Sequence, residues 1–110
     1  MKADKALMLH LGVLAALIAI SALKAEFGPP KIPLEMVSLC EEEGSRFPSA
    51  GFWGSRAIVG RTTAPDCQSV VSATGETIGA AMAVIGYDPA RIAEAVRSDI
   101  RAFIELHIEQ

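Results

Sequence analysis

The chain has 110 residues, 51% of them hydrophobic, and a formal net charge of −3 at pH 7. Past residue 25, seven basic side chains stand against twelve acidic ones, which argues against a nucleic acid as the main partner. The length leaves room for one small domain with a marginal core, which a cross-link would help to hold. No C-x-x-C, P-loop, G-x-S-x-G or H-E-x-x-H occurs, so no cofactor is expected and no catalytic motif declares itself.

The first element is an apolar run, Ala6 to Leu23, of 18 residues without a charge. As an α-helix it is about 27 Å long, close to the ~30 Å hydrocarbon core of a bilayer. Asp4 is placed to cap its start, Lys24 suits its C-terminal dipole, and Gly28-Pro29-Pro30 stop it. The pattern predicts a membrane-spanning helix from Lys5 to about Phe27. A buried core helix fits less well, because the run is apolar on every face and lies at the terminus. Two readings stay open. An uncleaved signal anchor is favoured by the length of the run. A signal peptide removed after Ala25 has Leu23 as a poor residue at −3. Lys2 and Lys5 before the run balance Lys24 and Lys31 after it, and the short N-terminal tail points to residues 26–110 lying outside the cytoplasm. His10 reads as an interfacial imidazole rather than a ligand. Gly12 and Ala16 form a small-residue face suited to close helix approach.

A Gly/Pro-rich connector follows over residues 26–33. Pro33 to Glu43 predicts a short helix with Val37 and Cys40 on one face and Gly44 beyond its end. Glu41-Glu42-Glu43 reads as its solvated end, with a metal or partner site as the alternative. These acids disfavour a reactive Cys40 thiolate. Residues 45–65 are irregular, with a short strand conceivable over Arg56 to Thr62. Phe47, Phe52 and Trp53 cluster here, either as a lid on the core or as an exposed anchor for a partner or lipid surface.

Asp66 to about Ile85 predicts an amphipathic helix, capped by Asp66, or by Thr63 with Pro65 in the first turn. Cys67, Val70, Ile78, Met82 and Ile85 line one stripe, and Gly75, Gly79 and Ala83 form a second, small-residue ridge. A second membrane span over this segment is disfavoured by Glu76. Gly86 and Asp88-Pro89 punctuate the chain and start a last helix, Pro89 to about Ile108, antiparallel to the one before. On that helix Glu105, His107 and Glu109 would point to different sides and could not chelate together.

The expected architecture is therefore all-α. A signal anchor or signal peptide occupies residues 1–25 and a connector 26–33. A small extracytoplasmic helical domain over 34–110 ends in the antiparallel hairpin, with Cys40 and Cys67 joined as one disulfide. The expected function is that of a non-enzymatic, membrane-anchored accessory or scaffold protein. It would be held in the membrane through residues 6–23 and would bind a protein partner through Phe52, Trp53, Gly75, Gly79 and Ala83. The alternative is a cleaved periplasmic or secreted inhibitor, immunity factor or chaperone. A thiol-redox or metal enzyme forms a third class, for which the sequence offers no activated cysteine.

Overall fold

The computed structural model describes residues 5–107, with side chains from residue 11 on. The expected cap at Asp4, the side chain of His10 and residue Glu109 lie outside the described residues. The chain divides into two units, one of residues 1–38 with 101–110, the other Leu39–Ile100.

In the first unit, among the described residues, one helix, α1, spans Lys5–Phe27, with Lys24 in its last turn. The Gly28 amide donates to the Lys24 carbonyl at 3.0 Å, and Gly28 turns the chain out at φ 76°. A β-carbon at Gly12 would lie 3.3 Å from the Leu106 carbonyl oxygen, so glycine there lets the C-terminal segment run close against the helix. Among the described residues no helix is long and apolar enough to cross a membrane. This overturns the membrane-spanning element and the signal anchor. The extracytoplasmic placement rested on that element and falls with it. Pro33–Leu39 carries no helix, against the expectation for Pro33–Glu43.

The second unit holds three short helices, α2 (Trp53–Ile58), α3 (Ala64–Ser69) and α4 (Ile78–Val84), and a 3₁₀ helix, Pro89–Ala95. The 3₁₀ helix touches all three, and α3 packs on α4. Phe47, Ala50, Trp53, Ala57, Cys67, Val70, Ile78 and Ile92 form one buried core cluster. Thr62 is buried with its hydroxyl unpaired among the described residues.

Local chemistry explains each boundary. Thr63 starts α3: its amide and its hydroxyl both donate to Asp66 Oδ2 at 2.7 Å, and Pro65 sits in the first turn. The Thr63 hydroxyl holds the Asp66 carboxyl below its usual range. The helix stops at Val70, which is extended. The single helix expected over Asp66–Ile85 is thus broken in two. Between the halves, Val71 and Thr77 form an isolated antiparallel bridge around a turn. Ser72 Oγ accepts from the amides of Thr74 and Glu76, and Gly75 sits at φ 82°. Paired β-branched valines followed by Ser, Thr and a left-handed glycine favour such a turn over a helix. Thr77 then caps α4 by accepting from the Ala80 amide at 3.0 Å.

Gly86, at φ 88°, ends α4, and Asp88 caps the 3₁₀ helix through the Ala90 amide at 2.9 Å. That helix ends at Val96, and residues 96–107 carry no helix. The Arg97 amide is drawn instead to the Ile58 carbonyl at 3.0 Å, and its guanidinium pairs with Asp99. This bond holds the Asp99 carboxyl down at about 2. The expected C-terminal helix hairpin is therefore absent: its second arm is a seven-residue 3₁₀ helix. Arg56 to Ile58 lies in α2 and not in a strand.

Candidate functional site

The start of α2 has no local cap. Phe52 precedes it at φ 59°, ψ 32° and carries no side-chain oxygen. The amides that a helix start leaves unpaired go to the loop that carries the acids. Phe52 N donates to the Glu42 carbonyl at 2.9 Å, Trp53 N to the Glu41 carbonyl at 3.4 Å and Gly54 N to the Cys40 carbonyl at 3.1 Å. Ser55 N donates to Glu42 Oε1 at 2.9 Å, and Ser55 Oγ to Glu42 Oε2 at 2.8 Å. The Glu42 carboxylate thus caps α2 through Ser55, thirteen residues downstream, and both of its oxygens accept from that one residue.

Glu41 is held as firmly and differently. Its backbone is left-handed, at φ 53°, a conformation that costs a non-glycine residue of order 1–3 kcal/mol and persists only where the surroundings impose it. Its Oε2 accepts from the amides of Arg46 and Phe47 at 3.1 and 3.2 Å. Phe47 is in the core, and the Arg46 guanidinium lies over its ring at 5.4 Å and pairs with Glu76. Glu41 and Glu42 are half-buried and Glu43 is exposed. The three acids form a turn tied down at two places, where the sequence predicts a solvated helix end.

Gly54 permits this closeness. A β-carbon there would stand 2.9 Å from Leu39 Cβ, 3.0 Å from Cys40 N and 3.1 Å from Glu42 Oε1. Two of these neighbours are backbone or backbone-attached and cannot swing away. Gly54→Ala is expected to cost about 1–3 kcal/mol by overpacking and to move Glu42 off Ser55. Denaturant unfolding of the variant checks the first. An unchanged unfolding midpoint would show that the loop has room to spare.

The other expected site residues do not assemble. Phe52 is 65% exposed and Trp53 only 2%, so that pair is split between surface and core. Gly75 is a turn residue. Gly79 lies in α4, where a β-carbon would meet the Cys67 carbonyl oxygen at 2.8 Å, so its smallness serves the contact with α3. Ala83 is on the exposed side of α4. The ridge is interrupted because Gly75 and Gly79 stand in different elements.

Cys40 and Cys67 are free thiols, the first exposed and the second buried, in place of the expected disulfide. Cys67 Sγ faces the Thr63 carbonyl at 3.6 Å and the Pro89 carbonyl at 3.9 Å, within its own core. Partial desolvation of the sulfur pushes both thiols up, with Glu41 and Glu42 adding to the effect at Cys40 and Asp66 at Cys67. Neither is an activated nucleophile. Glu105 and His107 lie outside any helix, so the helical geometry expected to separate them does not apply. Among the described residues no group of three or more His, Cys, Asp or Glu is arranged to hold a metal ion. Sequence reasoning missed Ser55, Gly54 and Arg46. The available signal was Gly-Ser after two aromatics, a helix start with no capping residue of its own.

Residues 8–110 match the model of peptidase family M20/M25/M40. The chain is similar to the allantoate amidohydrolase of Bacillus subtilis (strain 168), 46% identical over 99 residues, 90% of this chain and 24% of that protein. It is similar to the allantoate amidohydrolase of Escherichia coli (strain K12), 43% identical over 99 residues with the same shares covered. The N-carbamoyl-L-amino-acid amidohydrolase of Paenarthrobacter aurescens is 40% identical over 101 residues, 90% of this chain and 24% of that protein. The chain thus spans about a quarter of the length of these curated relatives. The match takes in the apolar run from residue 8 on. These findings overturn the expected non-enzymatic scaffold and its alternative, a cleaved inhibitor, immunity factor or chaperone, because the similarity is to hydrolases.

Proposed function

The chain belongs to the peptidase family M20/M25/M40, and on that premise we propose that it serves an amidohydrolase reaction on small N-carbamoyl compounds, with Glu42 as general base. The observation that carries this reading is the Ser55 clamp, at 2.9 and 2.8 Å, on a half-buried carboxylate. An ionised carboxylate has about four acceptor sites. Ser55 occupies two, and the others remain to take a proton from water. As the water oxygen bonds to the carbamoyl carbon, its proton passes to Glu42, and it is returned to the leaving nitrogen when the carbon–nitrogen bond breaks. A base already oriented by its neighbours spends no freedom on reaching that geometry.

Allantoate and N-carbamoyl-L-amino acids, the compounds named for the relatives, both carry a carbamoylated nitrogen. The test is ammonia release by the intact protein from each. Release from either is expected, with allantoate the better substrate by kcat/KM, in line with the 46% and 43% identities to the allantoate enzymes against 40% for the other. Release from neither would sink the reading.

A further inference from the structure

We propose that Ser55 is a positioning residue whose paired backbone and hydroxyl donors set the plane of the Glu42 carboxylate. This rests on the reading of Glu42 as the base. Ser55 N is the third amide of α2, and its place is fixed because Trp53 and Ala57, on either side, are buried in the core. The hydroxyl of the same residue reaches the second carboxylate oxygen at 2.8 Å. One donor alone would leave the carboxylate free to turn about its terminal bond, a torsion with a broad, shallow well. Two donors on one rigid element remove that freedom and aim the two remaining lone-pair sites. Gly54 brings the helix near enough for both bonds, since any side chain there would meet Glu42 Oε1. A role as helix cap alone would need only the bond from the amide. The hydroxyl adds nothing to the helix and acts on the carboxylate.

Kinetics and direct detection of the bond test this in the intact protein. In Ser55→Ala the amide donor stays and the hydroxyl goes. The expected result is a fall in kcat of about tenfold, the scale of one hydrogen bond to a charged group, with KM changed little. Ser55→Thr, which keeps the hydroxyl, should restore kcat to near wild type. In the wild-type protein, a through-hydrogen-bond coupling from the Ser55 amide nitrogen to Glu42 Cδ should be visible by NMR. That measurement stands even where a variant folds poorly. Wild-type kcat in Ser55→Ala, a loss of stability alone, or absence of the coupling would each overturn the positioning role. If Glu42→Gln is inactive while Ser55→Ala is fully active, only this inference fails. A fully active Glu42→Gln would remove the base, and the positioning role with it.

Discussion

Replacing Glu42 by glutamine is expected to lower kcat by about 10²–10⁴-fold, the range contributed by a positioned general base. The amide keeps the shape of the carboxylate and one acceptor oxygen. The Ser55 amide can still donate to that oxygen, and the Ser55 hydroxyl can turn to accept from the new NH₂ group. The cap on α2 therefore survives, and KM and the thermal midpoint should hold near wild-type values while proton transfer is lost. Glu41→Gln supplies the contrast. Glu41 Oε2 accepts from the Arg46 and Phe47 amides, and an amide oxygen accepts there equally well. That variant should lose less than Glu42→Gln. The comparison is of kcat at saturating substrate, beside thermal unfolding of each variant. Equal losses in the two variants would mean that the loop is needed as a whole and that Glu42 has no separate part.

Trp53→Ala is expected to destabilise the protein by about 3–5 kcal/mol, the cost of removing a buried large aromatic and leaving a cavity. Trp53 is 2% exposed and stands at the first position of α2, among Phe47, Ala50 and Ala57. Its loss loosens the helix that carries Ser55, so activity should fall along with stability. Phe52→Ala is the control. That side chain is 65% exposed, and an exposed substitution stays within about ±0.5 kcal/mol. Chemical denaturation of both variants decides the matter. A Trp53→Ala protein as stable as Phe52→Ala would mean that the core does not depend on the indole.

Much of the local punctuation was readable before the structure. The bounds of α1 at Lys5 and Phe27 follow from the apolar run and the Gly-Pro-Pro stop. Thr63 with Pro65, Gly86, and Asp88 with Pro89 begin or end elements as their chemistry requires. These are contacts within one turn of chain, and residue types alone determine them. Hydropathy also marks α1 as a helix to be kept from water. It does not say whether lipid or protein does so, because an all-round apolar helix suits the bilayer and the interior of a large protein alike. The membrane reading falls because no described helix is long and apolar enough to cross a bilayer and because the family match takes in the run from residue 8 on.

Other features lay beyond local reading because their energetics are not local. The stripe from Cys67 to Ile85 has helical spacing, yet the Ser72–Gly75 turn divides it, and both halves still face one core. Periodicity picked out Cys67, Val70 and Ile78, which are buried, but also Ile85, which is exposed, and it does not tell one helix from two. Glu41, Glu42 and Glu43 look like a solvated run because the donors that hold the first two are backbone amides and one hydroxyl, groups that nearly every residue carries. Only the fold brings the bare start of α2 against that turn, with Gly54 as the one residue small enough to let it close. The sequence by itself determined the bounds of α1, the starts at Thr63 and Asp88 and the stop at Gly86, where the signals lie within one turn of chain. The tertiary structure decided which carboxylate is held, because amides left unpaired at one helix start must find acceptors wherever packing places them.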